Sequence, residues 1–185
     1  MLDEGRPFEA AMVVGGRRLA GGGLGRDEVE DPATGRVIAT TPQGTRAEAE
    51  EALAAARAAQ PAWAALPAVE RGRAVQALAD RVRDHADLLA RIVVAEQGKP
   101  ISQARGEIGA TEAFLRYAAE WARRIEGEIL PSDAPHEEIW IRRLPHGVVA
   151  GLTAWNYPSA LAGRKLGPAL VAGNAFVLKA HEFTP

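Results

Sequence analysis

The 185-residue sequence contains no cysteine. Within this chain, that absence excludes disulfides, Cys-ligated zinc, iron–sulfur clusters and thiolate nucleophiles. The formal net charge is only -2, so no basic field indicates nucleic acid or an anionic membrane as a partner. No apolar run approaches the ~18 residues of a membrane span, and the N-terminus MLDEGRPFEA lacks the apolar region of a secretory signal. These absences predict a soluble, cytoplasmic protein with no metal site.

The residue pattern divides the chain into four predicted segments. Residues 1–44 alternate short apolar runs with turn residues and are predicted to form a β-hairpin region. Residues 45–127 are predicted to be helical, and residues 128–147 to be a β-strand arm containing the alternating, half-solvated EIWIR. Residues 148–185 begin with a strand, a helix and a second strand, so the predicted fold class is α/β.

Local signals set the predicted limits of the helices. Thr45 followed by Glu48 fits a capping box and opens an alanine-rich helix that we expect to stop before Pro61. Gly98, with Pro100 beyond it, is typical of the end of another helix.

Large apolar side chains recur at helical spacing towards the end of the helical segment. This stripe predicts one buried side of a long helix ending near Gly127, and a core role rather than a cofactor site. Its members are Phe114, Tyr117, Trp121 and Ile125.

Residues 148–179 have the length and pattern of one β-α-β unit. The near-continuous apolar run VVAGL favours a buried parallel strand, and AFVLK a second one. The loops after these strands, from Leu152 to Asn156 and from Lys179 to Glu182, should lie side by side at the carboxyl ends of the strands. An amide, an ammonium and a carboxylate there indicate either nucleotide binding or simple capping of the strand ends.

Other candidate sites are weak. The stretch GGRRLAGGG lacks the phosphate-binding pattern GxxxxGK[ST] and is better interpreted as a hairpin tip. No GxSxG motif of a serine hydrolase is present. The four histidines are scattered and predict no metal site; they are His85, His136, His146 and His181.

The blocks LTAWNYP and GPALVAGNAFVLKAHEFTP resemble the aldehyde dehydrogenase superfamily, whose members carry PWNFP, PALAAGN and KPSE-type blocks at this spacing. EDPATGRVIATTP resembles the family's N-terminal hairpin, and AEQGKP its Glu-x-Gly-Lys-Pro turn. The resemblance covers residues 30–185 in order. It implies a truncated aldehyde dehydrogenase fold: an N-terminal helical block with β-hairpins, then the first β-α-β unit of a Rossmann-like NAD-binding domain.

The resemblance assigns a catalytic role to Asn156, whose side-chain amide would stabilise the oxyanion formed when a cysteine attacks the aldehyde. Such a donor must be held rigidly, and the neighbours Trp155, Tyr157 and Pro158 are expected to hold it. Ala154 stands where the family usually has proline, which would slacken the loop.

The resemblance also implies a cofactor site. Lys179 would contact the adenine ribose and Glu182 its hydroxyls, so NAD is expected and NADP is disfavoured. Ala180-His181 stand where Pro-Ser is common in the family. The implied cofactor-binding residues are Leu152, Thr153, Ala154, Trp155, Lys179, His181 and Glu182.

The family's cysteine nucleophile and glutamate base lie beyond the matched region, and this chain has no cysteine. Three interpretations follow. The chain is the N-terminal part of an NAD-dependent aldehyde dehydrogenase that forms a homo-oligomer when complete, a non-catalytic nucleotide-binding or oligomerisation module, or one half of a split enzyme.

Overall fold

The structure is a computed structural model that describes residues 7–21 and 23–185. Residues 1–6 of the predicted hairpin region, and Gly22 of the predicted hairpin tip, lie outside the described residues. Within the described ranges, no helix combines the length and apolar character needed to cross a bilayer.

The N-terminal region consists of short strands, as predicted. β4 and β5 form an antiparallel hairpin, and β1 adds to β5 in parallel. The Asp31 carboxylate stabilises the connecting turn by accepting from the Ala33 N–H at 2.8 Å. β2 and β3 form a second hairpin, whose tip is Gly15-Gly16. The strands are β1 (Phe8–Glu9), β2 (Met12–Val14), β3 (Arg17–Leu19), β4 (Arg26–Asp31) and β5 (Arg36–Pro42).

Four α-helices follow: α1 (Arg46–Ala65), α2 (Ala68–Asp84), α3 (Ala86–Gln97) and α4 (Ile101–Glu120), the last continued by a 3-10 turn at Trp121–Arg123. Both predicted local signals are confirmed. The Thr45–Glu48 capping box opens α1, and Gly98, with φ of +78°, ends α3 in the left-handed conformation.

The predicted stop before Pro61 is wrong, because α1 continues through it to Ala65. A proline inside a helix removes one backbone hydrogen bond and costs about 3 kcal/mol. Tertiary contacts hold this turn in place. The Gln60 side-chain amide donates to the Gly173 carbonyl at 3.0 Å, and the Trp63 indole N–H donates to the Leu170 carbonyl at 2.9 Å.

Helix α4 lies at the centre of the core, but with a different face buried from the one predicted. The aromatic stripe is exposed, from 37% at Ile125 to 59% at Tyr117. The helix ends at Glu120, before the predicted end near Gly127. Small and medium side chains on the neighbouring stripe allow closer packing and are buried instead: Ala104, Ile108, Thr111, Leu115 and Ala118.

The predicted arm is an antiparallel ribbon of β6 (Glu128–Pro131) and β7 (Glu138–Ile141). EIWIR does form a strand, but every residue of both strands is exposed, so the expected half-solvated pattern is wrong for the single chain. Among the described helices and strands, none packs closely against the ribbon, so it covers no core there.

The C-terminal unit has the predicted β-α-β arrangement, with β8 (Val148–Leu152), α5 (Pro158–Val171) and β9 (Ala175–Lys179). β8 and β9 are parallel, in a register that pairs Leu152 with Lys179. Helix α5 packs tightly on α4. A Cβ at Gly163 would lie 2.9 Å from Thr111 Cγ2, and one at Gly167 would lie 2.9 Å from Ala118 Cβ. This close approach brings α4 beneath the loop that connects β8 to α5.

Candidate functional site

The loops that follow β8 and β9 lie side by side, as the sequence predicts. The backbone N–H of Thr153 donates to the Lys179 carbonyl at 3.2 Å. Further along, the rings of Trp155 and His181 are 5.4 Å apart. The structure therefore brings the predicted site residues of both loops together at the carboxyl ends of β8 and β9.

The polar end of this site is an exposed ion pair. Lys179 Nζ lies 3.4 Å from Glu182 Oε2. Hydrogen bonds from its own backbone N–H and from Lys179 hold the pKa of Glu182 below its ordinary value. The site thus offers an ammonium and an ionised carboxylate at neutral pH.

Beside this pair is a row of aromatic rings. His181 is half-buried between Trp155 and Phe183, with 5.1 Å between its ring and that of Phe183. The ring nitrogen Nδ1 of His181 accepts from the Phe183 backbone N–H at 3.2 Å. Trp155 is 54% exposed and Leu152 is 67% exposed, so the row presents apolar surface to solvent. Such a surface suits a flat aromatic group.

Asn156 lies at the turn into α5 and is exposed. Among the residues that the structure describes, its side-chain amide makes no hydrogen bond. Its backbone, in contrast, is anchored: the Asn156 carbonyl accepts a hydrogen bond from Lys99 Nζ at 2.8 Å. The main chain at Asn156 is thus fixed, and its side-chain amide is available to donate to a further group.

The anchor is a buried ion pair that the sequence analysis did not identify. Lys99 Nζ lies 2.5 Å from Glu107 Oε2, and their side chains are 7% and 0% exposed. The same ammonium lies 4.1 Å from the centre of the Tyr157 ring, within the range of a cation–π contact.

Glu107 also binds the start of α5. Its Oε1 accepts from the backbone N–H of Ser159 at 2.8 Å and from that of Ala160 at 3.2 Å. Thr111, one turn further along α4, shares a 2.9 Å hydrogen bond with the Ser159 hydroxyl. Tyr157, at the N-cap, supplies no side-chain cap, so a carboxylate from another helix satisfies these N–H groups.

One signal in the sequence could have revealed this pair. Glu107 occupies a position three residues after Ala104 and four before Thr111, in the middle of a stripe of small and apolar residues. A carboxylate at a core position of an amphipathic helix requires a buried partner. Lys99 lies in AEQGKP, which was interpreted only as a turn.

Trp155 and Tyr157 were expected to hold Asn156 in place, but their own side chains are largely exposed, at 54% and 50%. The closest polar side-chain contacts to the loop come instead from Glu107 on α4 and from Lys99, two residues before the start of that helix. Among the described residues, no group of three or more His, Asp or Glu side chains could hold a metal ion.

A parallel β-α-β unit with polar groups at the carboxyl ends of its strands is the architecture of nucleotide-binding α/β proteins. Comparison with known sequences identifies the particular family. The sequence model of the aldehyde dehydrogenase family matches residues 21–185. The chain therefore belongs to the aldehyde dehydrogenase family.

Individual relatives agree with this assignment. The chain is 44% identical over 159 residues to 3,6-anhydro-alpha-L-galactose dehydrogenase of Vibrio sp. (strain EJY3), covering 86% of this chain and 33% of the relative. It is 40% identical over 179 residues to lactaldehyde dehydrogenase of Escherichia coli, covering 97% and 37%. The chain thus spans about a third of the length of these curated relatives.

Solved structures give the same result for the fold. The crystal structure of lactaldehyde dehydrogenase from Escherichia coli superimposes with a TM-score of 0.95 at 39% identity, covering 97% of this chain and 38% of that one. A structure of 3,6-anhydro-L-galactose dehydrogenase in complex with NADP superimposes with a TM-score of 0.92 at 43% identity, covering 96% and 37%. The α/β fold described above therefore matches the N-terminal part of the aldehyde dehydrogenase fold.

Proposed function

We propose that this chain supplies the oxyanion-stabilising amide and part of the dinucleotide site of an NAD-dependent aldehyde dehydrogenase, which oxidises an aldehyde to a carboxylic acid. The observation that carries the proposal is the uncommitted amide of Asn156, on a backbone fixed by Lys99, in a loop that lies alongside the loop carrying the Lys179–Glu182 pair. The chain contains no cysteine, so the nucleophilic thiolate of this reaction comes from outside these 185 residues.

The proposed role of Asn156 is electrostatic. When a thiolate adds to an aldehyde, the carbonyl oxygen becomes negatively charged, and a preorganised N–H donor stabilises that charge more than it stabilises the neutral aldehyde. Removing one oxyanion-stabilising donor typically lowers kcat by about 10²–10³. The donor needs no proton transfer, so an amide suits the task.

The residues present fit one end of a dinucleotide. Lys179 and Glu182 offer an ammonium and a carboxylate to ribose hydroxyls, and the row of Trp155, His181 and Phe183 offers aromatic surface. The remaining proposed contacts are backbone and side-chain surface at Leu152, Thr153 and Ala154. When bound, the cofactor would supply the hydride acceptor.

The proposed preference for NAD rests on Glu182. Its depressed pKa keeps the carboxylate ionised, and a fixed negative charge near a ribose 2′ position repels an added phosphate. Relatives that are named as NADP-dependent or were solved with NADP share 35–43% identity with this chain, so the proposal rests on Glu182 and not on the comparisons.

The catalytic proposal can be tested in a chimera in which this chain replaces the matching region of lactaldehyde dehydrogenase from Escherichia coli. Asn156→Ala should lower kcat about 10²–10³-fold with a smaller change in KM, because the lost bond forms in the transition state. Ser132→Ala, which alters an exposed turn of the β6–β7 ribbon, is the control and should leave kcat unchanged. An Asn156→Ala chimera with full kcat would refute the role.

The cofactor proposal can be tested on the chain as it stands, by calorimetry with NAD and NADP. We expect weak binding, with Kd above the micromolar range and a preference for NAD. Glu182→Gln should shift the ratio of the two Kd values towards NADP, whereas Glu137→Gln, on the ribbon, should not. An unchanged ratio for Glu182→Gln would remove the basis for the NAD assignment.

A second proposed function is self-association through the β6–β7 ribbon. Its two strands expose apolar side chains on both faces, an unusual arrangement for an isolated chain. Ile129 and Trp140 pair on one face and are 60% and 65% exposed, and Leu130 and Ile139 pair on the other and are 39% and 48% exposed. Light scattering should show an oligomer that Trp140→Glu dissociates and that Leu24→Ser, an exposed leucine elsewhere, does not. A monomer for the unsubstituted chain would contradict this role.

A further inference from the structure

The buried pair Lys99–Glu107 contacts the polypeptide backbone at Asn156 and at the start of α5. We infer that this pair is a positioning device for Asn156: it fixes the main chain at the oxyanion donor and at the start of α5, and thereby controls kcat. This inference rests on the proposed function of Asn156. Lys99 and Glu107 are positioning residues, because neither side chain reaches solvent at the site.

The first support is that the two side chains bind different parts of the loop backbone. Lys99 binds the carbonyl of Asn156 itself, and Glu107 binds the N–H groups of Ser159 and Ala160. The pair therefore holds the main chain at the donor residue and again three and four residues later. Little of the loop between these points is free to move.

The second support is that the polar groups of both side chains all have partners. The three N–H donors of the ammonium face the Glu107 carboxylate, the Asn156 carbonyl and the Tyr157 ring. The Glu107 oxygens divide their bonds, Oε2 to Lys99 and Oε1 to the two N–H groups of α5. A buried ion pair is expensive unless its hydrogen-bonding groups are satisfied, and here they are satisfied by this loop.

The third support is the structure at the start of α5. Tyr157 makes no side-chain cap, so the first N–H groups of the helix depend on Glu107. A carboxylate at a helix N-terminus is also favoured by the helix dipole. Loss of Glu107 would fray the first turn, and the fraying would begin two or three residues from Asn156.

The expected consequence for the reaction follows from geometry. A hydrogen-bond donor is effective only when it lies within about 0.5 Å of the productive position, and a displacement of about 1 Å can cost 10² in rate. Loosening the loop should therefore lower kcat and leave KM nearly unchanged. It should also speed hydrogen exchange at the amides of Ser159 and Ala160.

Lys99→Met tests the inference in two settings. In the 185-residue chain, hydrogen exchange at Ser159 and Ala160 should become at least tenfold faster. In the chimera with lactaldehyde dehydrogenase, kcat should fall about ten- to a hundredfold at nearly constant KM. Glu107→Gln keeps an acceptor oxygen for the α5 amides and removes the charge, so it should give a smaller fall and provides a second test if Lys99→Met does not fold.

Arg116→Met is the matched control. Arg116 joins α4 to α2 through Asp80 at 2.8 Å and also binds Glu112 at 2.9 Å, but it makes no hydrogen bond or ion pair with the β8–α5 loop. This variant should lower the unfolding midpoint while kcat and the exchange of Ser159 and Ala160 stay unchanged. A structural role alone would give both variants the same pattern, so an equal fall in kcat for Arg116→Met would overturn the inference.

The remaining outcomes separate this inference from the proposed function. If Asn156→Ala lowers kcat but Lys99→Met and Glu107→Gln do not, positioning by the pair is refuted while the role of Asn156 stands. If Asn156→Ala leaves kcat intact, the proposed function fails and the inferred control of kcat fails with it, even where exchange at Ser159 is faster.

Discussion

The carboxylate of Glu107, on α4, accepts a hydrogen bond from the backbone N–H of Ser159, at the start of α5, over 2.8 Å. The two residues are 52 positions apart in the chain. This contact connects the helical segment to the loop that carries the candidate site. The stability of the protein and the geometry of the site therefore depend on the same group.

Glu107→Ala should strongly destabilise the chain, because it leaves the Lys99 ammonium buried without its counter-charge. Removing one partner of a buried ion pair costs about 3–5 kcal/mol. Urea unfolding, followed by circular dichroism, measures the change. Glu112→Ala, which removes a more exposed partner of Arg116 on the same helix, should cost much less. Equal losses would show that the buried pair contributes no special stability.

Gly98→Ala should destabilise the chain by about 1–2 kcal/mol or more. Gly98 has a φ of +78°, and a Cβ there would lie 2.7 Å from the rigid ring of Pro32. The substitution should also displace Lys99, the next residue. Gly109→Ala, in open space on α4, should instead stabilise by up to about 1 kcal/mol. Thermal unfolding of both variants checks the contrast in sign.

Stability should fall as pH rises from about 4.5 to about 7, because of Glu96. Burial raises the pKa of Glu96 from 4.5 to about 7, so the folded state retains a proton that the unfolded state has lost. Between these values the folded state binds more protons, which makes the free energy of unfolding decrease with pH. Glu96→Gln should remove this decrease and be more stable than the unsubstituted chain at pH 8. Parallel unfolding profiles for the two proteins from pH 4 to 8 would contradict the prediction.

Trp63→Phe should destabilise the chain by about 1 kcal/mol, because it removes the indole N–H that donates to the Leu170 carbonyl, which then keeps its backbone bond from the Gly173 N–H. It should also increase hydrogen exchange in the last turn of α1, after Pro61. Trp140→Phe removes an exposed indole N–H that bonds to Glu138 at 3.2 Å and should change stability less. Chemical denaturation and hydrogen exchange together measure both effects.

The features that sequence reasoning predicted well depend on residues a few positions apart. The Thr45–Glu48 capping box and the helix end at Gly98 are examples, since their hydrogen bonds and dihedral angles are local. The pairing of β8 with β9 also followed, because a β-α-β unit of this length has one common arrangement.

The predictions that failed concern choices between equivalent local patterns. Helix α4 carries two adjacent stripes, and the stripe with the larger aromatic residues looked like the better core. Close packing against α5 requires small groups such as Ala118 opposite Gly167, so that stripe is buried instead. Pro61 similarly signalled a helix end that tertiary hydrogen bonds overrode.

The sequence by itself determined the family, the order of the elements and the placement of Asn156, Lys179 and Glu182 at the ends of adjacent strands. Motif spacing and local periodicity carry that information without reference to distant contacts. Only the tertiary structure decided what holds Asn156. Lys99 lies 57 positions before it, and burial makes the Lys99–Glu107 pair depend on satisfying its hydrogen bonds. That requirement is met by the backbone of the β8–α5 loop, which no pattern of residue types can display.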